Sequence, residues 1–275
     1  MAQLAGRVYT PRQMRRLAAA ALAVVSSVIV VAAQGPAYRA PRTADGKASL
    51  NGIWQALNEA NWDIEGHSAG PGRVQALGAE DAVVPGLGVV EGGPLPYLPA
   101  ALAKKKANSE KRLANDPEIK CYLPGVPRAM YLPQPFQIIQ SAKHIMMAFQ
   151  YAGAVRTIYM ADQTPAPADS WMGWSNGHWE GDTLVVDTTG FNDLSWFDRA
   201  GNFHSDELHV VERITPVSAD LLNYEATIDD KKVFSRPWKM SMPLYRRKEK
   251  GARLLEFRCV EFVEDLIYGA LRKPR

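Results

Sequence analysis

The sequence contains no Gly-x-Gly-x-x-Gly run and no Gly-x-x-x-x-Gly-Lys-Ser/Thr run. It therefore lacks the glycine-rich turns whose backbone amides cradle nucleotide phosphates, and no dissociable cofactor is expected. Cysteine is nearly absent, with only Cys121 and Cys259, and neither sits in a Cys-x-x-Cys pair. His178, His204 and His209 do not fall at an HxxxH or HExxH spacing, so no metal site is expected. From Cys121 onward no helical pattern of 10–15 residues separates the strand-like runs, which speaks against a parallel α/β sheet. No internal repeat suggests a propeller.

An excess of charge of one sign is also missing. The chain carries 32 Lys+Arg against 29 Asp+Glu. Its basic excess lies at the N-terminus, where Arg7, Arg12, Arg15 and Arg16 occur without an acid before residue 34. The remainder holds 28 basic and 29 acidic residues, a balance of −1. Nothing in that balance favours nucleic acid or an anionic membrane surface.

The same N-terminus has the layout of a secretory signal. Arg12–Arg16 precede an apolar run from Leu17 to Ala33, which ends in the small residues Ala32 and Ala33. This reads as a signal peptide over residues 1–33, cleaved before Gln34, and the expected location is periplasmic or secreted. The alternative is an uncleaved anchor, for which 17 apolar residues are short. No stable membrane span is expected after cleavage. In an oxidising compartment Cys121 and Cys259 pair most simply as a disulfide, with two unpaired thiols as the alternative.

Residues 34–48 read as a flexible lead-in. From residue 49 to 275 the pattern is that of one mainly β domain. "SLNGIWQA" is a first strand, and the runs beginning at Phe136 alternate or are rich in β-branched and aromatic residues. About nine strands with short connections predict an antiparallel up-and-down β-barrel, with an open sandwich as the rival. An insertion over about residues 57–118 interrupts the barrel. Its first part is rich in Gly and Pro. Its end, Leu98–Asp116, reads as one short helix with Pro99 in the first turn and Pro117 beyond the stop. The Lys104–Lys106 run reads as a solvated face.

Gly52-x-Trp54 on the first strand is similar to the Gly-x-Trp of lipocalin-type barrels, and that resemblance implies a Trp closing one barrel end. Separately, the block Trp179-Glu-Gly-Asp-Thr-Leu-Val-Val-Asp-Thr188, with "CYLPGVPRAMYLPQPFQIIQ" and "HSDELHVVERI", resembles a widespread family of exported bacterial proteins of unknown function. The resemblance covers roughly residues 115–262. It implies export and brings no reaction with it. The chain departs from that pattern at Ala168-Asp169, where a histidine is expected, and at "VEFVED" after Cys259.

Alternation sorts the charged strand residues by face. Thr183, Val185 and Asp187 share one side of their strand, with Leu184, Val186 and Thr188 on the other. His209, Val211 and Arg213 likewise oppose Leu208, Val210, Glu212 and Ile214. If Asp187 faces the interior it needs a partner, either Arg213 or Arg156. That pair is then either a structural ion pair or a polar anchor for a ligand.

In the loop Trp196–His209, His204 is the candidate general base, oriented by a carboxylate such as Asp198 or Asp187. The competing reading is a turn in which His204 and Ser205 cap backbone groups. Arg128, in a Pro-rich turn, binds a carboxylate of the protein or of a ligand. Trp171, Trp174, Trp179 and Trp196 either pack the barrel mouth or line a site, and His178 is a further candidate contact.

Three functions remain. A binder of a small apolar or aromatic molecule predicts an apolar cavity inside the barrel. A cofactor-independent acid–base enzyme predicts His204 and a carboxylate converging at its mouth. A structural envelope protein predicts a barrel filled by side chains.

Overall fold

The computed structural model describes residues 38–72, 82–161 and 163–271. The chain divides into two units, Met1–Arg39 and Ala40–Arg275, and the fold below belongs to the second. The expected signal segment lies outside the described residues.

Nine strands close into a barrel in sequence order. They are β1 (Gly52–Ala56), β2 (Phe136–Gln140), β3 (His144–Phe149), β4 (Val155–Tyr159), β5 (Trp174–Glu180), β6 (Thr183–Thr189), β7 (His209–Ser218), β8 (Leu221–Asp229) and β9 (Trp238–Arg246). An odd number of strands cannot alternate direction all the way round a closed ring. One neighbouring pair must run parallel, and here it is β4 with β5, joined only at Ile158–Ser175 and Tyr159–Asn176. The expected antiparallel, up-and-down barrel is therefore present, with one parallel seam that parity requires.

Alternation along each strand places one set of residues inside. Phe136, Ile138, Ile145, Met147, Ile158, Leu184, Val186, Val210, Ile214, Tyr224, Met240 and Leu244 are all buried in one core. Trp54 is completely buried, and its indole N–H donates to the Leu50 carbonyl at 2.9 Å. The Arg246 guanidinium lies 4.2 Å from the centre of the Trp54 ring system and donates to the Asn51 carbonyl at 2.9 Å. Gly52 has φ +148, and a Cβ there would overlap Arg246. The Gly-x-Trp thus pairs with an arginine from the last strand to lock β1 against β9.

The insertion folds over the barrel. The single expected helix is broken in two, α1 (Pro99–Glu110) and α2 (Arg112–Asn115), because Lys111 has φ −107 and ψ 22. The Lys104 ammonium lies 4.4 Å from the centre of the Phe203 ring while the residue remains exposed, a cation–π contact. In the lead-in, Arg42 pairs with Asp182 and Ala48 is fully buried, so residues 42–48 are a bonded turn and not a free tail. Cys121 and Cys259 form a disulfide, with Cα atoms 5.6 Å apart. Beyond β9, the C-terminal segment carries the short helix α3 (Val263–Tyr268). Among the described residues no helix is long and apolar enough to cross a membrane.

Candidate functional site

The barrel interior holds a polar core. Arg156 on β4 reaches across the parallel seam, donating from Nε to Ser175 Oγ at 2.9 Å and from Nη2 to Thr188 Oγ1 at 2.8 Å. Its fork also grips Glu212 of β7, with Nη1 to Oε1 at 3.0 Å, and Tyr224 donates to the same oxygen at 2.9 Å. All five residues are buried. Every strong donor and acceptor here has a protein partner, so the cluster stitches β4, β5, β6, β7 and β8 together and offers nothing to a ligand.

The face assignment follows from this. Glu212 and Thr188 point inward, and Asp187 points out. Asp187 accepts from His209 Nε2 at 2.9 Å, with the two side chains 51% and 40% exposed. Arg213 pairs outside with Glu180 at 2.9 Å, and Glu180 also meets His178 at 3.3 Å. The Asp187–Arg213 or Asp187–Arg156 pair expected inside the barrel does not form. The face rich in Leu and Ile is the buried one, and its two polar members are tolerated because Arg156 satisfies them. Trp174 stacks on Tyr159 at 4.4 Å, and Trp196 is buried in the core. Neither lines the clefts described here.

His204 is also buried. Its ring packs near Phe191 and Phe197, with centroids at 5.9 and 5.4 Å. Nδ1 lies 2.8 Å from the Ser205 carbonyl, which can only accept, so Nδ1 carries the proton. Nε2 then accepts from the Ser195 hydroxyl at 2.8 Å. Burial lowers the pKa of the imidazole and keeps it neutral. Asp198 does not orient it. Instead Asp198 Oδ2 accepts from Ile64 N–H at 2.9 Å and Asn202 Nδ2 at 2.6 Å, and Oδ1 from Asn202 N–H at 3.1 Å. The Ser195–His204 pair has the form of an activated hydroxyl, yet both residues are 2% exposed. The expected convergence of His204 and a carboxylate is not found.

Arg128 is saturated by the protein's own groups. It donates to Asn61 Oδ1 at 3.0 Å, Asp116 Oδ1 at 3.3 Å and Glu118 Oε2 at 2.7 Å. Glu118 also receives both arms of Arg199, at 2.8 Å each. Burial would raise the Glu118 pKa, but the Arg199 and Arg128 guanidiniums outweigh it and hold the carboxyl at about 2.

From this ionic layer, Arg199 lines a cleft of about 260 Å³ between the insertion and the β6–β7 loop. Trp62, Pro71 and Val83 give it apolar walls, while Asp63 and Arg199 bring charge and His67 an imidazole. The Arg199 guanidinium sits 4.5 Å from the centre of the Trp62 ring system, and that of Arg112 at 5.6 Å. Asp63 shares the Asn202 side-chain amide with buried Asp198, at 3.3 Å from its own Oδ1. Burial raises the Asp63 pKa. Burial and then the Asp63 charge push Asp198 up to about 7, against the pull of its N–H donors.

Sequence reasoning passed over Trp62, Asp63 and His67 because they lie in a Gly/Pro-rich stretch read as irregular. A signal was present. Asn61-Trp62-Asp63 concentrates polar and aromatic groups, and Gly66-His67-Ser68-Ala69-Gly70 has the spelling of a Gly-x-Ser-x-Gly nucleophile turn. That turn needs a strand before it and a helix after it. Here isolated bridges, His67 with Gly86 and Gly70 with Val83, flank the serine, and the motif's mechanics are missing.

His178, His204 and His209 lie apart, each engaged as described. Among the described residues no group of three His, Cys, Asp or Glu is placed to hold a metal ion. The fold and cleft define a closed, side-chain-filled, nine-stranded β-barrel with a small aromatic–ionic cleft on its outside. No family model, curated protein or solved structure matches the chain.

Proposed function

We propose that the protein is an exported small-molecule binder whose ligand lies in the Trp62 cleft and not in the barrel lumen. The observation that carries this reading is the meeting of Trp62, Pro71 and Val83 with Asp63, His67 and Arg199 around about 260 Å³. The volume is at the small end for ligand sites and suits one or two rings bearing a polar group. The formed disulfide supports a periplasmic or secreted location.

The test is native mass spectrometry of the exported protein for a co-purifying molecule, repeated on Trp62→Ala and on the cleft-filling Val83→Trp. The reading expects an adduct on the native chain that both variants lose. No adduct on the native chain, or one that both variants retain, sinks it.

An acid–base reading also gains support, relocated from His204. Asp63 lines the cleft and shares Asn202 with Asp198, whose carboxyl is held at about 7. A carboxyl held near neutrality beside a second one raised by burial suits proton transfer in a hydrolase, lyase or isomerase reaction.

A further inference from the structure

After β9 the chain leaves the core. The Arg247 N–H donates to the Ile53 carbonyl at 2.8 Å, and no described residue beyond Leu244 belongs to the buried core cluster. The segment from Arg253 to Tyr268 then crosses the barrel's outer side with its apolar residues largely in solvent, Leu255 at 61% and Leu266 at 72%.

Its described attachments are few. Leu255 N–H donates to Gln150 Oε1 at 3.0 Å, the Phe257 ring lies 5.1 Å from Tyr151, and Phe262 N–H donates to the Ile119 carbonyl at 2.9 Å. Beside them stands one covalent link, Cys121–Cys259. Beneath the segment is a second cleft of about 310 Å³, with Phe257, Val260 and Val263 above and Glu118, Tyr151 and Arg199 below. Arg199 thus lines both clefts, and the segment covers the Glu118 side of the ion pair whose Arg199 reaches the Trp62 site.

We propose that residues 253–268 are a strap latched by the Cys121–Cys259 disulfide, and that reduction releases it from an intact barrel and uncovers the Glu118–Arg199 pair. Among the described residues, two hydrogen bonds from strap amides and one ring contact are too little to offset the conformational entropy of ordering a segment of this length. The covalent bond keeps the segment at high effective concentration over its docking surface. Both cysteines are partly exposed, so a dithiol can reach the bond. The dithiol delivers two electrons and two protons, leaving Cys121 and Cys259 as thiols and itself as a cyclic disulfide. The influence of release on ligand occupancy rests on the Trp62-cleft reading; the release itself does not.

Amide hydrogen exchange on the full chain, oxidised and in dithiothreitol, tests the release without any ligand. Reduction is expected to cut protection of the Leu255 and Phe262 amides about a hundredfold while the β6–β8 ladder stays protected. Cys259→Ser should match the reduced protein. Unchanged strap protection shows that the strap docks without its latch. Loss of barrel protection in the same step shows that the bond holds the fold and not a strap. Either result overturns the proposal.

Discussion

Arg156 and Glu212 face each other inside the barrel with side chains 1% and 0% exposed. Arg156 sits where the sheet is weakest, on a strand whose parallel neighbour contributes two residue pairs. Its bonds to Ser175, Thr188 and Glu212 reach three further strands, so side-chain hydrogen bonds replace missing ladder bonds at the seam. Breaking such a pair leaves a buried charge without compensation. Arg156→Met is expected to cost about 3–5 kcal/mol. The double variant Arg156→Met, Glu212→Leu removes both charges and should recover more than half of the loss, though the Tyr224 hydroxyl stays unpartnered. Urea unfolding of the singles and the double decides this, and additive losses would show that the two residues act independently.

The fold class was legible because antiparallel strands announce themselves by alternation and short turns. A closed ring of nine strands requires a parallel pair, but where that pair falls, at β4 and β5, was not legible. The choice of inner face was harder. Asp187 and Glu212 are both acids amid valines on neighbouring strands; the Leu and Ile that share Glu212's face, and the position of Arg156, distinguish them. That position depends on how β4 and β5 register across a long connection, which no local pattern encodes. The cleft was less legible still. Trp62, Asp63 and Arg199 meet through irregular chain over a sequence distance of more than 130 residues, and irregular chain has no periodicity to read. Cys121 and Cys259 were readable as a bond by elimination, but not as the latch of a nearly coreless segment.

His204 is expected to matter for stability. Removing its ring leaves a void beside Phe191 and Phe197 and strands the Ser195 hydroxyl. His204→Ala should cost about 2–4 kcal/mol, and ligand occupancy of the Trp62 cleft should persist in the folded fraction. The outer pair makes the contrast, and Asp187→Asn should change stability by less than about 1 kcal/mol. Thermal unfolding measures both. A destabilised Asp187→Asn beside an unaffected His204→Ala would reverse this assignment.

Gly52 is expected to be irreplaceable for steric reasons. At φ +148 an L side chain is strained, and its Cβ would overlap the Arg246 guanidinium. Gly52→Ala must therefore displace Arg246 from Trp54 and from the Asn51 carbonyl. The expected cost is about 1–3 kcal/mol. Arg246→Ala made on its own should lose part of the same energy, and the double variant should be less than additive. Additivity in denaturant unfolding would mean that Gly52 and Arg246 do not act through one contact.

Asp198 and Glu118 should pull stability in opposite directions with pH. Asp198 binds its proton more tightly in the folded chain, where its pKa is about 7 against an ordinary value of 3.8. Its contribution is complete below about pH 4 and is lost as pH rises through 7, with a slope of at most about 1.4 kcal/mol per pH unit. Glu118 is held at about 2 against 4.5. Its contribution is complete above about pH 5 and is lost as pH falls toward 2. Relative to Asp198→Asn, the native chain should therefore gain stability between pH 8 and 5. Relative to Glu118→Gln, it should lose stability only below about pH 4.5. Because Asp63 joins Asp198 through Asn202, a neutral apolar ligand that dries the cleft should raise the Asp63 pKa further and favour proton uptake by the pair. Calorimetry of binding in two buffers of different ionisation heat reads that proton directly. A ligand that binds in the Trp62 cleft with no proton uptake would separate the carboxyl pair from the site.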